Sequence, residues 1–145
     1  MGAMNVRPVE SRDVEAVLAL WRAVFPEYGD PGRPQRDPRA SVLRKLAFAD
    51  GLFWLAERDG RVIGTVMAGY DGHRGWLYSL GVHPEARRAG VGLALLAEAE
   101  RALTALGAPK VNLQVFTRNE AGQAFWRKAG YQVDDVVSFG KRLAP

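Results

Sequence analysis

Leu80-Gly-Val-His-Pro-Glu-Ala-Arg-Arg-Ala-Gly-Val-Gly-Leu-Ala-Leu-Leu96 is the stretch from which the rest of the chain can be read. Residues 77–82 are mainly apolar and read as a strand, Pro84 and Glu85 break it, and from Gly90 onward apolar residues recur at helical spacing. The order is strand, turn, helix. Arg87, Arg88, Gly90 and Gly92 fall on the turn, where the first amides of a helix lack partners inside it. Those donors, the positive end of the helix dipole and two arginines suit an anion such as a pyrophosphate. Glycine at 90 and 92 keeps side chains from holding phosphates away from the backbone. A Walker A loop would end in Gly-Lys-Ser/Thr, which is absent, and a dinucleotide fingerprint would need a third glycine where position 95 is leucine.

On the N-terminal side, Asn5 to Val9 alternates as a first strand. Ser11 or Asp13 then caps a helix that carries Val14, Val17, Leu18 and Trp21 on one face. Pro26, Gly29, Pro31, Gly32 and Pro34 stop that helix in a loop running to about Pro38. Helical turns from Ser41 to Ala49 follow, and this irregular segment is the expected lid or wall for a second substrate. Leu52 to Arg58 and Val62 to Tyr70 are strands joined by Asp59-Gly60, a strong hairpin signal. Asp71-Gly72-His73 marks a second hairpin into Trp76 to Val82.

On the C-terminal side, Gly107 and Pro109 end the long helix. Residues 111–116 read as a strand, Ala121 to Ala129 as a short helix stopped at Gly130, and Tyr131 to Val133 with Val136 to Leu143 as two final strands. Hairpins come first and crossovers later, so the expected class is α/β (α+β): a mixed, mostly antiparallel central sheet of about seven strands with helices on both faces.

The chain has 145 residues, enough for one core, so residues 4–145 are expected to form a single domain. Residues 1–3 look like a cloning remnant. The net charge of +4 comes from 20 basic against 16 acidic residues without a long basic run, so nucleic acid is not an expected partner. There is no cysteine, which removes disulfides, a thiolate nucleophile and cysteine metal sites, and two histidines do not build a metal centre unaided. No apolar run approaches a membrane span, so a soluble, cytoplasmic protein is expected.

Arg87-x-x-Gly90-x-Gly92 after a strand ending Val82-His83-Pro84 resembles motif A of the GNAT superfamily, the acetyl-CoA-dependent N-acyltransferases. Asn119-Glu-Ala-Gly-Gln-Ala-Phe-Trp-Arg-Lys-Ala-Gly130-Tyr131 is similar to the family's motif B. The segments 64–74 and 138–143 are similar to a small bacterial subgroup without an assigned substrate, which favours a bacterial source. The resemblance implies a splayed central strand pair that admits the pantetheine arm of acetyl-CoA beside backbone groups of Leu80, Gly81 and Val82, a form of strand addition. It further implies that Arg87, Arg88, Ala89, Gly90, Val91, Gly92 and Leu93 hold the diphosphate, that Asn119 and Trp126 add contacts, and that no metal takes part. A homodimer is a further expectation, since members often pair.

The reaction so implied is acetyl transfer to a small-molecule or peptide amine by direct attack, which needs a neutral amine, a polarised thioester carbonyl and a proton for the thiolate. The strand glutamate common in the family is replaced here by Trp76, Tyr78 and Ser79. Tyr78, Glu57 or His83 through water are the candidate bases. The tyrosine acid common in motif B is replaced by Trp126, for which Tyr131 can substitute. Tyr78 and Tyr131 are therefore the candidate catalytic residues. Trp76, Tyr78 and Tyr70 can surround an amine or pack in the sheet. The alternative on the same residues is a catalytically silent acyl-CoA-binding or regulatory domain.

Overall fold

The computed structural model of the protein describes residues 2–29 and 37–143. The chain forms two compact units, Met1–Leu113 and Gln114–Pro145. In the first, strands β1 (Asn5–Pro8), β2 (Phe53–Arg58), β3 (Arg61–Tyr70), β4 (Gly75–Val82) and β5 (Val111–Asn112) lie side by side in sequence order. Every neighbouring pair is antiparallel except β4 and β5, which are parallel. The helices of this unit are α1 (Val14–Val24), α2 (Pro38–Phe48) and α3 (Val91–Ala105).

Adjacent residues of β3 show how the layers are made. Thr65 meets Trp21 of α1, whereas a Cβ on Gly64 would come within 3.0 Å of Val91 and Leu95 of α3. Successive strand residues point to opposite faces, so α1 and α3 cover opposite sides of the sheet. One core joins Val17, Leu18 and Trp21 to Phe53, Leu55 and Met67. On the other face α3 buries Val91, Leu95, Ala99 and Leu103. A Cβ on Gly75 would sit 3.0 Å from Leu103 Cδ1, so the two strand glycines let the long helix lie close on the sheet.

Local chemistry explains the boundaries. Asp37 caps α2 by accepting from the amides of Arg39 and Ala40, with Pro38 at the first helical position. Asp59 and Gly60 both have positive φ, 52° and 75°, as a two-residue hairpin of right-handed twist requires. Arg7 of β1 donates from both Nη atoms to Asp13 at 2.8 Å and from Nε to Glu57 at 3.0 Å, tying the first strand to the start of α1 and to β2.

Two expectations about strands need correction. The described sheet has five strands, not about seven, and the strand expected over 111–116 stops at Asn112. No described residue from 131 to 143 is in a strand. An alternating pattern marks residues able to half-bury one face, but pairing needs a partner backbone. Here Val133, Val136, Val137, Phe139 and Leu143 stay exposed, Phe139 at 92%. The loop centred on Pro31, Gly32 and Pro34 lies outside the described residues.

In the second unit, α4 (Glu120–Lys128) is capped by Asn119, whose Oδ1 accepts from the amide of Gly122 at 2.9 Å. Gly130, with φ 97°, ends the helix, and the amide of Tyr131 donates back to the Trp126 carbonyl at 2.9 Å. The rings of Phe125, Trp126 and Tyr131 pack edge to face in sequence, with centroids 5.1 and 5.0 Å apart.

Candidate active site

Between the pairs Thr65↔Gly81 and Met67↔Tyr78, β4 has one more residue than β3. This is a bulge, and Ser79 within it has φ 53°, a left-handed conformation that a serine adopts only when its surroundings hold it there. The restraint comes from the core. Trp21 Nε1 donates to Thr65 Oγ1 at 2.9 Å, and Thr65 Oγ1 donates to the Ser79 carbonyl at 3.2 Å. Trp21 and Thr65 are both fully buried, so each of these polar atoms depends on the chain of bonds. Nothing in the sequence signals this arrangement, because no glycine marks the bulge.

The extra residue changes which backbone groups face outward. At its start β4 accepts pairing from β5, with Gly75 N donating to Lys110 O at 2.9 Å, and the register ends at Trp76↔Asn112. Beyond the bulge, His83 N donates to Ile63 O at 2.8 Å, which turns His83 and Gly81 toward β3. Leu80 and Val82 therefore direct their backbone groups to the opposite edge, where among the described residues they have no register partner. Gly81 has a packing reason of its own, since a Cβ there would come within 2.9 Å of Val24 and Phe25.

The strand runs into a short turn of 3-10 helix, Pro84–Ala86, where His83 Nδ1 accepts from the Glu85 amide at 3.1 Å. Arg88 and Gly90 then take positive φ values of 65° and 78°, and α3 begins at Val91 with Gly90 as a cap that has no side chain to offer. The amides of Val91, Gly92 and Leu93, in the first turn of α3, have no acceptor within the helix and none outside it among the described residues. A Cβ added to Gly90 would meet nothing within 4 Å. The corner is thus an open row of donors at the positive end of a 15-residue helix. Arg87 reaches back with Nε to the Val82 carbonyl at 3.4 Å, a long bond that places its guanidinium beside the same corner.

Immediately before the bulge, Trp76 and Tyr78 share a face of β4 and, with Met67 and Tyr70 of β3, line a cleft of about 500 Å³. Its other wall is α2, through Ser41, Arg44, Lys45 and Phe48. The expected wall over 41–49 and the three expected aromatics thus come together in one cleft. Lys45 is engaged, donating to Asp50 at 2.8 Å and to the Ala68 carbonyl at 2.5 Å. Asp71, at the rim, accepts from the amides of Arg74 and His73 through a single oxygen, and these bonds hold its carboxyl below the usual range. Burial, and secondarily the Asp71 charge, pushes the Tyr78 hydroxyl above its ordinary value.

The remaining candidates are placed as follows. Glu57 is bound into the Arg7 cluster, and the bonds from Arg7 hold its carboxyl low, which makes it a poor proton acceptor. His83 serves as the cap of the turn before α3. Asn119 serves as the cap of α4, and Tyr131 stacks edge-on to Trp126 in the second unit. The motif residues 80–82 and 87–93 are brought to one end of β4, and Tyr78 adjoins them.

A model described as the acetyltransferase (GNAT) family matches residues 14–131. The chain belongs to the GNAT acetyltransferase family. Solved structures of this fold agree. A PaiA N-acetyltransferase from Thermoplasma acidophilum in complex with coenzyme A superimposes with a TM-score of 0.82 at 22% identity, covering 93% of each chain. An aminoglycoside N-acetyltransferase in complex with CoA gives 0.79 at 23% identity, over 99% of this chain and 97% of that one. A GCN5-related N-acetyltransferase from Ralstonia eutropha gives 0.74 at 27% identity, over 96% and 99%. The family assignment makes the protein an N-acetyltransferase. The free amides in the first turn of α3 and the open space at Gly90 leave room for an anionic group such as a diphosphate. Among the described residues, no cluster of three His, Asp or Glu side chains suited to a metal ion is present, and no helix is long and apolar enough to cross a membrane.

Proposed function

We propose that the protein transfers the acetyl group of acetyl-CoA to a primary amine by direct attack in a ternary complex, with the amine seated in the cleft over Tyr78. The observation that supports this reading is the adjacency on β4 of two features, the aromatic cleft ending at Tyr78 and the outward backbone edge beginning at Leu80. In this reading Arg87, Arg88, Ala89, Gly90, Val91, Gly92 and Leu93 hold the diphosphate through main-chain N–H groups and the two guanidinium charges. Leu80, Gly81 and Val82 provide the strand along which the pantetheine arm lies, and an amide at the bulge polarises the thioester carbonyl. The amine nitrogen then forms the C–N bond as the C–S bond breaks. Tyr78, a phenol that is protonated at neutral pH and that burial keeps so, donates to the departing sulfur, and the proton lost by the amine returns through solvent.

The test is calorimetry with CoA and acetyl-CoA, paired with thiol release over a panel of amines. Saturable binding with amine-dependent release is the expected result, and absence of binding overturns the proposal. Binding without release from any amine favours the silent acyl-CoA-binding reading, for which the absence of a carboxylate at Trp76, Tyr78 and Ser79 is the supporting observation. Tyr78→Phe is expected to lower kcat by roughly 100-fold or more with CoA affinity unchanged. Activity that needs the protonated phenol falls only above the ordinary tyrosine value of 10. That alkaline decline in the kcat–pH profile is expected to disappear in the variant.

A further inference from the structure

Resting on acetyl transfer as proposed above, we infer that the cleft over Tyr78 takes a free basic amino acid of lysine's length, with its side-chain amine as the nucleophile and its α-ammonium and α-carboxylate held at the far end by Asp71 and Arg44.

The charges that line the cleft are two of each sign, Arg44 and Lys45 against Asp50 and Asp71. Lys45 and Asp50 neutralise each other at 2.8 Å, and the second Asp50 oxygen accepts from the amide of Leu52 at 3.0 Å. The other two charges are available. Asp71 accepts from two backbone amides through one oxygen, while its second oxygen accepts no bond from another residue among those described. Arg44 has neither an ion pair nor a hydrogen bond among the described residues. One open carboxylate and one open guanidinium are the complement of an amino-acid zwitterion.

Both lie away from the bulge. Asp71 follows Tyr70 at the hairpin end of β3, four register positions from Tyr78, which is about 13 Å along a strand. Contacts of about 3 Å at each end, an ion pair at Asp71 and attack distance beside Tyr78, leave roughly 7 Å between the held ammonium and the reacting nitrogen. That is the separation of the two nitrogens of lysine. Arg44 belongs to the same end, because Lys45 beside it on α2 donates to the carbonyl of Ala68, whose partner Leu77 lies on the hairpin side of Tyr78.

The two nitrogens therefore have separate tasks. The reacting one is neutral and sits by Tyr78 and Met67, where apolar surroundings favour the uncharged amine. The other stays charged at the rim, where the amides of the turn keep the Asp71 carboxyl ionised. The methylene stem between them lies along Trp76, Tyr70 and Phe48. The side-chain nitrogen bonds to the acetyl carbon as the C–S bond breaks, its proton leaves to solvent, and the sulfur takes one from Tyr78.

The experiment measures thiol release by the full chain from acetyl-CoA with lysine, 6-aminohexanoate, 1,5-diaminopentane and pentylamine, which in turn keep both head charges, lack the ammonium, lack the carboxylate and lack both. Each lost charge is expected to lower kcat/KM about fivefold, the scale of an exposed ion pair, and ornithine, one methylene shorter, should also fall below lysine. Asp71→Asn keeps the oxygen that the turn needs and should bring lysine level with 6-aminohexanoate. Arg44→Gln should bring lysine level with 1,5-diaminopentane. A kcat/KM for lysine no higher than for pentylamine or ornithine overturns the inference and leaves acetyl transfer standing, and so do variants that keep the parent's ranking. Calorimetric binding of lysine that weakens in both variants, without thiol release from any amine, supports the ligand class and overturns acetyl transfer. Neither binding nor release with lysine overturns the inference.

Discussion

From Gly75 to Tyr78, β4 begins with partners on both edges and presents side chains, Trp76 and Tyr78, to a cleft; from Ser79 to Val82 it keeps one partner and presents main chain. Pairing with β5 ends at Trp76, and three residues on, a residue in left-handed conformation marks the bulge. Side chains differ in size and charge from one protein to another, so the first half can be tuned to a particular acceptor. Main-chain amides are the same in every sequence, so the second half suits the substrate shared by a whole family. On the proposed reading, recognition of what varies and recognition of what is constant lie end to end on one strand.

Substitutions that act on one half only are the sharpest way to break this comparison. The largest effect is expected at the open corner. Gly90→Val puts a branched side chain where φ is 78° and where space is otherwise free, with backbone strain of about 1–2 kcal/mol added to exclusion of the phosphates. CoA affinity by calorimetry should fall at least about 100-fold, the sum of that strain and the lost amide contacts. A smaller effect is expected at the hinge between the halves. Thr65→Val removes the hydroxyl that links Trp21 Nε1 to the Ser79 carbonyl, at a stability cost of about 1–3 kcal/mol for the stranded buried groups. If the bulge positions the thioester, kcat should fall about tenfold, a change of 1.4 kcal/mol in barrier, with little change in acetyl-CoA KM. Thr65→Ser should recover it, and an unchanged kcat in Thr65→Val would separate the bulge from catalysis.

The smallest effect on activity is expected away from both halves. Arg7→Met should lower stability at pH 7 by about 2 kcal/mol and leave CoA affinity unchanged. Its pH signature follows from the directions of the shifts. Asp13 and Glu57 have carboxyls held below their ordinary 3.8 and 4.5, so their contribution is complete above those values and fades as pH falls through the lower folded-state values. Thermal melts in the variant should therefore lose less between pH 7 and pH 3 than those of the parent protein.

Much of this was legible in the residues themselves. Gly90 before an apolar helical period discloses the start of α3, Asp59-Gly60 discloses the hairpin, and Asn119 discloses the start of α4, because each is a local backbone requirement that few residues meet. What stayed hidden depends on partners distant in sequence. The bulge at Ser79 is set by a hydroxyl 14 positions earlier and an indole 44 positions before that, with no local mark. The final strands failed for the complementary reason: Val133 and Val136 to Phe139 have strand composition, but composition does not supply a neighbouring backbone. Asp71 read as a turn residue, and it is one, through one oxygen only.

The left-handed serine also bears on engineering for heat tolerance. Glycine at 79 would relieve roughly 1 kcal/mol of backbone strain, so a screen for higher melting temperature would tend to enrich Ser79→Gly. The same exchange would give the kink more conformations to visit, so gains in melting temperature at this position should run against turnover.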